Sequence, residues 1–125
     1  MSDTNTKISE AELQIMQLLW DDSPLDAAEV ANRVPAERSW SLATVKTLLS
    51  RLVAKGAVKT EPVGRKFLYE PLLAREKVAG RQANRLVERL FGGRVSPLVA
   101  QLVEQREIDP EDLAELEQLI RDLRK

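Results

Sequence analysis

The run Ser41-Leu42-Ala43-Thr44-Val45-Lys46-Thr47-Leu48-Leu49-Ser50-Arg51-Leu52-Val53-Ala54-Lys55-Gly56 can satisfy both of its faces only as a helix laid on a core. Val45, Leu48, Leu49, Leu52 and Val53 recur at three- and four-residue spacing and form an apolar stripe. The opposite side carries Ala43, Thr44, Lys46, Thr47, Ser50, Arg51 and Lys55, which are short, polar or cationic, and none is anionic. Ser41 is placed to cap the first turn, with Trp40 and Val45 as a hydrophobic staple. Gly56 stands where a helix ends in a left-handed residue. Such an outer face suits the major groove of DNA. Short side chains let the backbone come close, and Thr, Ser, Lys and Arg can meet phosphates or base edges. A plain amphipathic surface helix has the same pattern, so the neighbours decide between the two.

Charge is the first neighbour to consult. The chain of 125 residues has 19 Lys+Arg against 20 Asp+Glu, which by itself gives no basic signal. The average hides a strong local asymmetry. Residues 8–37 hold seven acids and one cation, Arg33, whereas residues 38–66 hold seven cations and one acid, Glu61. Such a division orients a protein on a polyanion.

The order of elements is the second. Ile8-Ser9-Glu10-Ala11-Glu12-Leu13 predicts a helix start, with Ser9 and Glu12 as a capping box and Ile8 stapled to Leu13. That helix runs to about Trp20, with Ile15, Met16, Leu19 and Trp20 inward, and Asp21-Asp22-Ser23-Pro24 breaks it. Asp26-Ala27-Ala28-Glu29 is a second capping box, stapled by Leu25 and Val30; its short helix ends near Val34, before Pro35. The third helix follows the connector 35–40. After Gly56 the period becomes two, predicting a two-stranded hairpin with a turn at Val63-Gly64, a tip carrying Arg65 and Lys66, and an end at Pro71. Three helices and a hairpin in this order make a winged helix-turn-helix, whose wing would meet phosphate or the adjacent minor groove. Taken alone, Arg65 and Lys66 also fit an ordinary solvated turn.

From Leu72 onward the pattern is purely helical. One helix is expected from Arg75 to Phe91, stopped by Gly92-Gly93, with Ala79, Ala83, Leu86 and Leu90 on one face. Ser96-Pro97 is expected to cap and open a second, carrying Leu98, Val99, Leu102 and Val103, and Asp109-Pro110 a third, with Leu113, Leu116, Leu119, Ile120 and Leu123 inside. A core that small is marginal alone. The stripes are therefore expected to meet those of a second chain, the alternative being packing onto the winged helix.

The chain lacks cysteine and histidine, which excludes disulfides, thiol catalysis and metal sites built on those ligands. It has no Gly-rich phosphate loop, and Asp21-Asp22 and Asp109/Asp112 read as loop and cap residues. No catalytic residue, metal or cofactor is expected, and the chain is read as not an enzyme. Met1 to Lys7 lacks the apolar stretch of a signal peptide, and no segment is apolar enough to span a membrane, so a cytoplasmic protein is expected.

With these residues in view, the sequence resembles the penicillinase-repressor family, the BlaI/MecI/CopY type of bacterial repressor. The likeness covers about residues 8–123. It is carried by Ile8-Ser9-Glu10-Ala11-Glu12 with Trp20, by Thr44-Val45-Lys46-Thr47-Leu48-Leu49 with Arg51-Leu52 and Lys55-Gly56, by Gly64-Arg65 with Tyr69 and Pro71, and by Leu90-Phe91-Gly92-Gly93 with Ser96-Pro97-Leu98-Val99. The resemblance implies a homodimeric winged-helix repressor of palindromic operators built on TACA/TGTA half-sites, with antibiotic-resistance-type regulation. It also implies a membrane sensor metalloprotease as partner, whose signalling leads to cleavage of the dimerisation region. Resistance-type members are cut at an Asn-Phe pair after the F-G-G turn; the matching positions here are Gln101-Leu102, which depart from it. The copper-sensing branch uses a C-terminal cysteine motif that this chain lacks.

The expectation is thus a mainly α protein: a winged-helix DNA-binding domain over residues 1–71 and a helical dimerisation domain over residues 72–125. Double-stranded operator DNA would be contacted by Ser41, Ala43, Thr44, Lys46, Thr47, Ser50, Arg51, Lys55, Arg65 and Lys66. Ala79, Ala83, Leu86, Leu90, Leu98, Leu102, Leu113, Leu116, Ile120 and Leu123 would hold the homodimer. The alternative is a winged-helix interaction module whose basic helix binds an acidic partner.

Overall fold

A computed structural model describes residues 7–125, so the leader reading on Met1 to Thr6 lies outside the described residues. The elements are α1 (Glu10–Asp21), β1 (Leu25–Asp26), α2 (Ala27–Arg33), a 3-10 turn (Ala36–Arg38), α3 (Leu42–Ala54), β2 (Val58–Val63), β3 (Lys66–Pro71), α4 (Arg75–Phe91), α5 (Val95–Gln105) and α6 (Pro110–Leu123). The architecture is the mainly α winged helix followed by three helices that the sequence predicts.

Local chemistry explains the first three helices. The Ser9 hydroxyl accepts from Glu12 N while the Glu12 carboxylate accepts from Ser9 N, and Asp26 and Glu29 close the same reciprocal box on α2. Ser41 caps α3 by accepting from Thr44 N at 3.1 Å. At the other end of α3, Gly56 has φ +77°. Gly56 N donates to Val53 O and Ala57 N to Leu52 O, the paired bonds of a Schellman motif. That reversal turns the chain into β2.

The hairpin differs from expectation in two ways. Val63 pairs with Lys66, so the turn is Gly64-Arg65 and Lys66 is the first residue of β3 rather than part of the tip. Of the two turn residues only Gly64 has positive φ, +63°, the pattern of a type II′ turn. The sheet also has three strands rather than two. β1 pairs antiparallel with β3 (Leu25 with Tyr69, Asp26 with Leu68), giving the order β1-β3-β2. Pro62 is tolerated because β2 is an edge strand.

The core joins these elements. Ile15, Met16 and Leu19 of α1 meet Val30 of α2, Val45, Leu49 and Leu52 of α3, and Leu25, Ala57 and Val58, all buried. Trp20 is half-buried, and its indole Nε1–H donates to Leu73 O at 2.9 Å.

Two compact units divide inside α4, the first ending at Ala79 and the second running from Gly80 to Lys125. The first compact unit thus runs on past Pro71, where the sequence reading divides the chain, because Val78 is buried and Leu73 packs with the first core. In the second unit Val87 is the one buried hydrophobic residue. Helix α5 starts at Val95 after Arg94, whose side chain makes no cap bond, so Ser96-Pro97 lies inside the first turn rather than capping it. Proline is tolerated there because first-turn N–H groups have no intrahelical partner. Asp109 caps α6 as expected, accepting from Glu111 N at 2.9 Å. Among the described residues no helix is long and apolar enough to cross a membrane.

Candidate nucleic-acid interface

The site is the outer face of α3 together with the β2–β3 turn. Packing fixes the face. Val45, Leu48, Leu49 and Leu52 are buried, and this turns Ala43, Thr44, Lys46, Thr47, Ser50 and Arg51 outward, all exposed. Ser41 is exposed at the N-cap. Three hydroxyls are partly committed to the helix. Ser41 Oγ and Thr44 Oγ1 lie 3.1 Å apart, and Thr47 Oγ1 donates to Ala43 O at 3.0 Å. The Thr47 back-bond follows the usual habit of a mid-helix threonine and leaves two acceptor lone pairs on its oxygen.

The seven cations of residues 38–66 separate into two groups. Four are engaged by the protein itself. The Arg38 guanidinium lies over the Trp40 ring at 5.2 Å and donates to Gln14 Oε1 at 3.2 Å. Lys59 pairs with Glu70, its cross-strand partner, at 3.1 Å. Lys66 reaches Asp26 at 3.3 Å. Lys55 reaches Glu12 Oε1 at 2.5 Å and the Lys7 carbonyl at 2.7 Å. The other three are Lys46, Arg51 and Arg65. Among the described residues no side-chain hydrogen bond or ion pair engages them. These three uncompensated charges stand on the outer face of α3 and at the wing turn, where a polyanion would find them.

Sequence reasoning placed Lys55 and Lys66 with the outward cations; the structure places them against carboxylates. The signal for Lys55 was available. At about 100° per residue, position 55 falls beside Leu48 at the edge of the buried stripe, away from Thr47. It also missed that the two acids do double duty. Glu12 and Asp26 close capping boxes and also receive Lys55 and Lys66.

The electrostatics of both acids follow from these contacts. Burial raises the Glu12 carboxyl, but the Lys55 hydrogen bond and charge and the Ser9 N–H outweigh it and hold the group below its ordinary 4.5. Asp26 is lowered mainly by the Glu29 N–H against its burial, and further by Lys66. A lowered carboxyl adds stability above its unfolded value and loses it as pH falls through the folded value. The Glu12 contribution is therefore complete at neutral pH and is lost on acidification below 4.5.

A short second helix, a third with a small, hydroxylated, cationic outer face, and a hairpin tipped by arginine define a winged helix-turn-helix protein. Comparison with known proteins agrees. The model of the penicillinase-repressor family matches residues 8–122. The penicillinase repressor of Bacillus licheniformis is 29% identical over 114 residues, covering 91% of this chain and 89% of that one. The solution structure of the DNA-binding domain of the repressor BlaI is 35% identical with a TM-score of 0.52, covering 57% of this chain and 87% of that one. A solution structure of monomeric Bacillus licheniformis BlaI in complex with the blaP half-operator is also 35% identical, at a TM-score of 0.50, covering 58% and 88%. The chain belongs to the penicillinase-repressor family, whose members are DNA-binding transcriptional repressors.

Proposed function

We propose that the protein is a homodimeric repressor that occupies a palindromic operator. Each protomer lays α3 in the major groove and sets the Gly64-Arg65 turn against the flanking backbone or minor groove. One observation carries the reading: of the seven cations of residues 38–66, the three that no side-chain bond engages, Lys46, Arg51 and Arg65, all lie on these two elements. That a BlaI relative of similar fold forms a complex with the blaP half-operator supports the reading of this unit as a binder of operator DNA. In this reading Ser41, Ala43, Thr44, Thr47 and Ser50 line the approach to the bases.

Helices α4, α5 and α6 supply the dimer contacts. Leu90, Leu102, Leu113, Leu116, Ile120 and Leu123 are exposed in the single chain, and Ala79 and Ala83 are exposed as well, with Leu86 and Leu98 half-buried. A second copy offers the same stripes as a cover. Derepression would follow from a sensor-protease pathway that cuts α5 at Gln101-Leu102. Both residues are exposed. The bond lies inside a helix, so α5 must unwind locally to enter a protease; in the separated chain, where α5 has no buried side chain, that opening comes at low cost, whereas dimer contacts at Leu98 and Leu102 would oppose it.

The test is anisotropy titration of a labelled duplex carrying inverted TACA/TGTA half-sites against a scrambled duplex of equal length, at several salt concentrations. Preference for the palindrome and a steep fall of affinity with salt are expected. Equal binding to both duplexes would refute operator recognition, and no salt-dependent binding to either would favour the acidic-partner module. On the same duplexes Thr47→Ala should weaken the palindrome more than the scrambled DNA, by roughly 1–3 kcal/mol. Equal loss on both would make Thr47 a backbone contact.

A further inference from the structure

The ion pair that draws Lys55 away from the outer face has a geometry of its own. Glu12 is the most buried acid among the described residues, its side chain 2% exposed, and it stands in the first turn of α1. Lys55 is the C-cap of α3. A carboxylate near one helix N-terminus and an ammonium at another's C-terminus are each favoured by the helix dipole. The Schellman bonds at Gly56 and Ala57 already close the end of α3, so the Lys55 amine is not needed there. Instead it reaches back to the start of the chain, to Glu12 Oε1 and to the Lys7 carbonyl.

Otherwise α1 and α3 share an apolar core, to which α1 gives Ile15, Met16 and Leu19 and α3 gives Val45, Leu48, Leu49 and Leu52. Apolar burial is non-directional and leaves a helix free to settle at neighbouring angles and offsets. A buried ion pair does the opposite. It adds little net stability over a well-packed apolar pair, but separating the charges leaves one of them uncompensated. Any slide or rotation of α3 along α1 would separate Lys55 from Glu12.

We infer that Glu12 and Lys55 are positioning residues for the recognition helix: the pair, its carboxylate buried and its ammonium half-buried, sets the angle at which α3 presents Thr44, Thr47 and Arg51, and the Lys55 charge is used inside the fold instead of on a phosphate. This rests on the DNA-binding reading above and deepens it. The pair acts on operator preference without supplying a DNA contact.

The experiment uses the full chain and four single variants. Glu12→Gln keeps the capping box, since Gln also serves at that position, but removes the charge. Glu12→Asp keeps the charge but shortens its reach. Lys55→Met keeps the stem without the ammonium. Arg65→Ala is the phosphate-contact comparator. Affinity for the preferred duplex and for a scrambled duplex is measured across salt, with far-UV circular dichroism reporting the folded fraction. Glu12→Gln, Glu12→Asp and Lys55→Met should each weaken the preferred duplex by about five- to tenfold, leave the scrambled duplex nearly unchanged and keep the salt slope of the parent. The Glu12→Gln/Lys55→Met double variant should lose no more than either single one, as expected of two residues acting as a unit. Arg65→Ala should weaken both duplexes alike and lower the log–log salt slope by about one. A Lys55→Met slope lowered by about one, or losses that add in the double variant, overturns the inference and makes Lys55 a phosphate contact. A parent protein that binds neither duplex refutes the repressor reading itself, which is a different result.

Discussion

Leu116→Asp is expected to sediment as a monomer and to bind a full palindrome barely better than a half-site. Leu116 lies on α6, 40% exposed in the single chain, on a stripe with Leu113 and Ile120 that nothing in its own unit buries. A carboxylate there would enter the proposed seam between two chains, where burial without a partner is costly. The loss on DNA would be large because two tethered winged helices reach two half-sites at once. The second contact gains from effective concentration, and breaking the tether forfeits about 100-fold or more of the apparent affinity. Binding to an isolated half-site should survive, since the core of the first unit ends at Val78. A variant that remains dimeric would remove Leu116 from the seam. Leu86→Asp on α4 tests the same seam from another helix.

Leu49→Ala is expected to act through a different quantity. Leu49 is fully buried on the inner face of α3, in the same core cluster as Val45 and Leu52 of its own helix and Ile15 and Leu19 of α1. Removing its branched end leaves a cavity in the first core, at a cost of about 2–5 kcal/mol. Domain stabilities run to roughly 5–15 kcal/mol, so this is a large share. Urea unfolding should show the loss as a lower midpoint with an unchanged slope, whereas Thr47→Ala should leave the midpoint where it was. If Leu49→Ala costs less than about 1 kcal/mol, α3 does not depend on its inner face in the way its burial indicates.

What the sequence made legible was local. The capping boxes at Ser9/Glu12 and Asp26/Glu29, the Ser41 cap and the Gly56 reversal each depend on residues within one helical turn of one another. The faces of α1 and α3 followed from period alone, and the family likeness, carried by particular motifs such as Thr44 to Leu49 and Leu90 to Gly93, is borne out by the comparison. Contacts between distant residues were not legible. β1 is two residues long, too short for an alternation, and exists because Leu25 and Asp26 find Tyr69 and Leu68. The second role of Glu12 depends on a lysine 43 positions away. Lys66 was assigned to the tip because Val63-Gly64 resembles a turn pair; the pairing of Val63 with Lys66 shifts the turn by one residue. The start of α5 was misplaced because Ser-Pro resembles a cap, although the first turn of a helix accepts proline equally well. The first unit runs past Pro71 because Val78 joins a core whose other buried members lie at Val58 and upstream, a contact that no local pattern shows.

The bare second unit has a consequence for the lifetime of the protein. Helices of 11 and 14 residues, α5 and α6, are too short to hold their backbone bonds in water without burial. If a second copy provides that burial, their order follows mass action, and the two halves of the chain answer to different variables. Amides of α1 and α3 would exchange with solvent at a rate set by the first core, whatever the dilution. Amides of α5 and α6 would exchange faster as the protein is diluted, and the same opening would admit any protease. A cell holding little of this protein would then clear it faster per molecule than a cell holding much. Abundance itself would help to decide whether the protein persists.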